Sequence, residues 1–316
     1  MAPAAPGRGG EYALTMASRS YRLKTKEAPV EGVRRIALGR TEKALERLEG
    51  VEEDDLAAAI HGARKDLKKL RGLARLVRHE LGGKRFKAEN SRYRDAGRLL
   101  AGSRDAEVKL ETLASLRQGS ANLPAEVVER WEGVLETERD ELAAAVREDE
   151  EGRIAKAGAA IAAGQREIGQ WPLRGDSWAL VGPGLSRSYG DGRQALKKAL
   201  ADPSPENVHA WRKRAKDLWY QLRIVRDAWP ELLGETVDRL HELTELLGAH
   251  HDLAVLAADL RDRADLGERK ALGQAIEKRQ EELLEAALDL GRRLYAEKPK
   301  AFRRRIKGYW LAWREA

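Results

Sequence analysis

Two stretches of this sequence space histidine, arginine and lysine so that they share one side of a helix. In the first, His61, Arg64, Lys65, Lys68, Arg71 and Arg75 recur at intervals of three and four. At about 100° per residue, Arg64, Lys65, Lys68 and Arg75 fall within roughly 60° of His61, with Gly72 among them. Arg71 sits slightly further round, and Ala63, Leu67, Leu70, Ala74 and Val77 fall on the opposite side. The second stretch repeats the pattern. His209, Arg212, Lys213, Lys216 and Arg223 share one face, and Trp211, Ala215, Leu218, Leu222 and Val225 share the other. Tyr220 stands in the place of Gly72, and Trp219 in the place of Arg71.

Such a stripe suits an anion. Arginine grips phosphate with a planar fork, and lysine offers a compact charge. Stripe neighbours lie about 5–6 Å apart along the axis, comparable to a couple of units of a linear phosphate polymer. A row of cations with no base-reading group fits a repeating polyanion. His61 and His209 would donate to phosphate when protonated, and an anion would raise their pKa; each alone is equally a capped or core imidazole. An arbitrary Lys/Arg face is usually just solvated. Here the interspersed Glu partners of an exposed helix are missing, Arg and His recur at matched positions, and the stripe occurs twice at one spacing.

The chain supplies these faces from an internal duplication. Residues 60–78 align with 208–226 at an offset of 148, with eight of 19 positions identical, and 99–108 align with 246–255 at an offset of 147. The second match pairs Arg104-Asp105 with His251-Asp252. Asp105 and Asp252 read either as carboxylates orienting a cation or as helix-start residues. His250-His251-Asp252 invites a metal, but three converging ligands are needed and the first half offers Ser103-Arg104-Asp105 there. No metal and no cofactor is expected.

Helical periodicity runs almost throughout, without strand alternation. Helices are expected near 30–49, 54–80, 86–101, 103–118, 124–168, 189–201, 204–227, 231–247, 250–262, 266–296 and 299–313. Ser204-Pro205 and Pro124 mark helix starts, and Trp229-Pro230 separates two helices. Trp171 to Gly192, with two Pro and five Gly, reads as a linker or structured loop. The expected fold is all-α, two paired four-helix bundles. Residues 1–20 read as a disordered extension, with Met16 an alternative start, followed by a domain over 21–313. Within it, repeat 1 covers about 21–120, the acidic helix and linker 121–183, and repeat 2 184–313.

Charge is segregated. Charged residues make up 35% of the chain and the net charge is +7, yet Lys/Arg outnumber Asp/Glu seven to one over 61–78, six to one over 209–226 and nine to one over 292–314. Residues 126–151 carry eleven Asp/Glu against three Arg. Concentrated positive faces call for an anionic partner. The chain has no cysteine, which excludes disulfides and fits a reducing cytosol. No apolar run reaches the roughly 18–20 residues of a membrane helix, and the N-terminus does not read as a signal peptide.

At these residues the sequence resembles the CHAD domain, the conserved-histidine α-helical domain. Val208 to Tyr220 and Leu247 to Val255 resemble its second-half signature; His61, Arg64, Lys65, Lys68, Arg104 and Asp105 match the first. Pro183 to Tyr189 with Gly192-Arg193 resemble the loop and opening helix of the second half, and Glu31 to Ile36 the opening helix of the first. The resemblance covers roughly residues 20–313. It implies two four-helix bundles related by pseudo-twofold symmetry and a central basic surface that binds inorganic polyphosphate. On this basis Arg187 and Arg193 join the binding residues, with Arg35, Asp105, Tyr189, Tyr220 and Asp252 in support. The resemblance also implies a cytoplasmic location associated with polyphosphate granules.

Nucleic acid is the alternative partner, since it shares the phosphate attraction; only Trp219 and Tyr220 lie near the stripe as stacking platforms. An enzyme is the third reading, and it is not expected. Gly182-Pro183-Gly184 lacks the Lys-Ser/Thr of a phosphate loop, and no nucleophile–base pair or Mg²⁺ carboxylate cluster stands out.

Overall fold

Apolar residues at helical spacing, with few β-branched or aromatic side chains between them, give an all-helical protein. The computed structural model describes residues 19–50, 55–101, 104–119, 123–175 and 177–316, with side chains at all but 104, 105 and 143–151. The α-helices are α1 (Pro29–Leu48), α2 (Leu56–Leu76), α3 (Arg78–Leu99), α4 (Arg104–Gly119) and α5 (Ala125–Ile168). After a short connection come α6 (Trp178–Ala201), α7 (Pro205–Ile224), α8 (Pro230–Arg263), α9 (Leu266–Leu294) and α10 (Pro299–Glu315). No strand occurs among the described residues. Proline opens α1, α7, α8 and α10, where its missing N–H costs nothing. Asp265 and Glu268 form a capping box at the start of α9. No described helix is long and apolar enough to cross a membrane.

The helices pack as two closed rings of four. α1, α2, α3 and α5 form one ring; α6, α7, α8 and α9 form the other, with α10 laid on α6. Their interiors merge into one apolar core, in which Trp171, Trp211 and Trp310 are fully buried. A second, separate core lies at one end. There Leu113, Val128, Trp131, Leu135, Leu256, Leu260, Leu272 and Ile276 join α4 and the first part of α5 to the far ends of α8 and α9. The acidic helix thus has a structural place: its 44 residues run from the distal core into the main one. Lys109 bridges Glu138 at 2.7 Å and Asp259 at 2.9 Å, tying α4, α5 and α8 together.

Three expectations are corrected. Trp171 to Gly192 is not all loop, because α6 begins at Trp178 and runs through Pro183. Its glycines serve close packing rather than chain freedom. A Cβ on Gly184 would lie 1.9 Å from the Leu76 carbonyl oxygen, and one on Gly192 would strike the Tyr295 ring. Pro183 has no N–H for the Ala179 carbonyl one turn back. That carbonyl instead accepts from His79 Nε2 of α3 at 3.0 Å. The expected break between 247 and 250 is absent, since α8 is continuous there; the matching segment of the first repeat spans the end of α3 and the start of α4. The break expected after residue 80 comes at Val77 and again at Gly82, whose φ of 71° interrupts α3.

Of the expected N-terminal extension, residues 1–18 lie outside the described residues. Arg19 is anchored by Glu46 at 2.6 Å. Arg35 donates to the carbonyls of Ser20 and Arg22 and to Glu27, so it clamps the segment before α1.

Candidate functional site

α7 and α8 build one half of the site. The charged face of α7 lies against α8 where α8 carries Glu245, Gly248, His251 and Asp252. The His209 and His251 rings lie against each other with centres 4.3 Å apart and planes inclined by 37°. The bare Gly248 admits the Arg212 guanidinium, which would sit 3.7 Å from a Cβ there. This crowding shifts protons. Burial, reinforced by His251, Lys213 and Arg212, pushes His209 down to about 4. Burial and then Arg212, His250 and Lys213 lower His251. Lys216 is lowered by burial and by Arg212, although Glu245 and Asp252 pull the other way. His209 Nδ1 and Arg212 Nε are buried with no hydrogen-bond partner. His250 is buried next to His251 in α8. Among the described residues, no three His, Asp or Glu side chains are grouped to hold a metal ion.

α2 and α3 build the other half. Lys65 and Lys68 are exposed, and His61, Arg64, Arg71 and Arg75 are half-buried. Arg71 donates to Asn90 Oδ1 of α3 at 3.1 Å. Burial and the neighbouring Arg75 push Arg71 down to about 10; Asp217 opposes this, while Arg94 and Arg98 of α3 add to it. Sequence reasoning missed Arg94 and Arg98, because they belong to one repeat only. It also left out Lys69, which is committed to the buried Asp66 at 3.3 Å beside Arg40.

The halves meet where α2 crosses α7. Arg75 donates to Asp217 at 2.9 Å, and Asp217 also accepts from Arg214 at 3.3 Å. Burial raises the Asp217 pKa in spite of these partners. Gln221 donates to the Gly72 carbonyl at 3.5 Å. Gly72 and Tyr220, which match between the repeats, touch: a Cβ on Gly72 would lie 2.9 Å from the Tyr220 Cβ. The two charged faces therefore converge on one crossing and run outward from it.

The remaining expected residues fall into four groups. Arg223 lies over the Trp219 ring at 4.7 Å and beside Tyr21 at 5.7 Å, next to the crossing. Tyr189 is buried, stacked on Phe302 at 4.0 Å, so it supports α6 and α10 rather than the stripe. Arg193 donates to the Tyr295 carbonyl at 3.1 Å, on the side of α6 that meets the end of α9; Arg187 is exposed on α6. The side chains of Arg104 and Asp105 lie outside the described ones, although α4 begins at Arg104.

Among known proteins, the model of the CHAD domain family matches residues 35–261, from within α1 almost to the end of α8. No curated protein matches the sequence. The matched span contains α2, α7 and the His251 end of α8, and it covers well over half of the chain. The chain belongs to the CHAD domain family.

Proposed function

We propose that the protein binds inorganic polyphosphate along the α2 and α7 faces and catalyses no reaction on it. One observation carries this reading: the partly buried His209, Arg212, Lys216 and His251 crowd together beside the exposed Lys213, with Glu245 and Asp252 as the carboxylates that act on Lys216. Such a cluster is under electrostatic strain, and a polyanion relieves it by supplying negative charge along its length. The first half adds Arg71, crowded by Arg75, Arg94 and Arg98. A base-free polymer is favoured over nucleic acid because the aromatic candidates are occupied. Trp219 is packed by Arg223, Tyr220 and His241, and Trp211 is fully buried. Beside the α2 and α7 faces, a base would find no free ring face among the described residues on which to stack. The setting we propose is the cytoplasm, at polyphosphate granules.

Titration with long-chain polyphosphate and with single-stranded DNA of equal charge, at several salt concentrations, tests the reading. Polyphosphate should bind more tightly, with both affinities falling as salt rises. Incubation of polyphosphate with the protein and Mg²⁺ or Mn²⁺ should release no orthophosphate above the blank. Tighter binding of DNA, or turnover that follows the protein concentration, overturns it.

A further inference from the structure

The third cationic segment, residues 292–314, plays no part in the α2/α7 site and lies beyond the family match. Most of it is α10. Phe302, Ile306 and Trp310 seal one side of that helix against the core, each about 1% exposed. Lys298, Lys300, Arg303, Arg304 and Lys307 are exposed on the other side. Arg305, by contrast, is taken by Glu297 at 2.6 Å. Those five make no ion pair or side-chain hydrogen bond among the described residues. A run of unpaired cations on a helix with no carboxylate among them costs self-repulsion and offsets it only with a ligand or counter-ions.

We infer that α10 is a second polyanion-binding surface, separate from the α2/α7 site, that takes a further stretch of a linear phosphate polymer. Three features of the helix select that ligand. Its apolar residues Phe302, Ile306 and Trp310 are spent on the core, and the exposed Leu311, alone among the cations, is too small an apolar surface to enter a lipid layer. Tyr309 and Trp313 lie on the side away from Lys300, Arg304 and Lys307, and Trp310, in line with Arg303, is buried in the core, so among the described residues of α10 no open ring face flanks the cations for base stacking. The exposed Trp229 packs edge-on against Tyr309, on that same far flank. The basic surface also continues onto α6. Gly190 faces Pro299, with a Cβ there 3.6 Å from the proline ring. The exposed Arg187 and Lys197, three residues before and seven after Gly190, share that side of α6. A long polymer would therefore engage both surfaces, and a short one either alone.

The test compares the full chain with two variants, using long-chain polyphosphate and tripolyphosphate. The α10 variant carries Lys300→Ala, Arg303→Ala, Arg304→Ala and Lys307→Ala, all exposed, in the best helix-forming residue. The central variant carries Arg212→Ala, Lys213→Ala and Lys216→Ala. Circular dichroism identical to wild type qualifies each. The α10 variant should bind long chains about tenfold more weakly, with the slope of log affinity against log salt smaller by about three. The central variant should keep residual long-chain binding, which disappears when the two sets are combined. An α10 variant that binds long-chain polyphosphate like wild type sinks the inference, as does one that loses only anionic vesicles or single-stranded DNA. A central variant that binds like wild type, beside a defective α10 variant, leaves this inference standing and removes the α7 face from the proposed function.

Discussion

At the scale of single residues, the tilted His209–His251 pair should make the site sensitive to pH. His209 is held near 4 in the folded protein, against roughly 6.5 for a free imidazole. As pH falls from about 6.5 toward 4, the unfolded chain takes up a proton that the folded chain refuses. The ligand-free protein therefore loses stability over that window and regains it as pH rises. A bound phosphate chain acts in the opposite direction, raising the imidazole pKa by its charge. Polyphosphate binding should tighten between about pH 7 and 5 and take up protons. Calorimetry in buffers of different ionisation enthalpy reads that uptake directly. The change His209→Gln should flatten the pH dependence while leaving the salt dependence nearly intact. An unaltered pH profile in that variant would show that His209 is not the titrating group.

At the scale of elements, the contact between α3 and α6 depends on an exchange of hydrogen bonds. Pro183 removes a donor from inside α6, and His79 replaces it at the Ala179 carbonyl. Changing His79→Ala should cost about 1 kcal/mol of unfolding free energy. In a Pro183→Ala background the helix recovers its own N–H, and the same change should cost much less. Equal costs in both backgrounds, measured by denaturant unfolding, would refute the exchange. This contact also explains why the first part of α6, before residue 189, was hidden in the sequence. Pro and Gly clustered over 171–192 look the same whether they turn the chain or let two helices approach closely. The duplicated faces of α2 and α7 were legible because they recur at one offset with two periodicities superposed, apolar and cationic. Arg94 and Arg98 were not, because their counterparts in α8 are not arginine and repetition could not select them. The break at Gly82 was legible as composition but not as position, since only a φ of 71° fixes it at one residue. The long α5 was seen as a helix, but its place in two cores depends on contacts between distant parts of the chain.

At the scale of the whole molecule, the proposed site draws on both repeats, so damage to either should be felt by a long ligand. Replacing Arg64, Lys65 and Lys68 with Ala, or Arg212, Lys213 and Lys216, removes three cations opposite an apolar stripe and spares the core. Each lost contact is worth about 0.5–1.5 kcal/mol where solvent reaches it. Each triple variant should then lose roughly 2–4 kcal/mol, about 30- to 1000-fold in affinity for long chains. Short chains should register only one of the two. Two well-folded variants that bind long polyphosphate normally would make both stripes ordinary solvated faces.

The crossing of α2 and α7 also bears on how such a molecule can be assembled. Where two identical subunits meet about a twofold axis, a residue on that axis opposes its own copy. Two tyrosines would collide in the space that Gly72 and Tyr220 share, and two glycines would leave a hollow. Joining both copies in one chain frees the two sides to differ, so that one supplies the ring and the other the room. Neither half cut out of this protein could pair with itself through the same contact, because the crossing is made of two unlike parts.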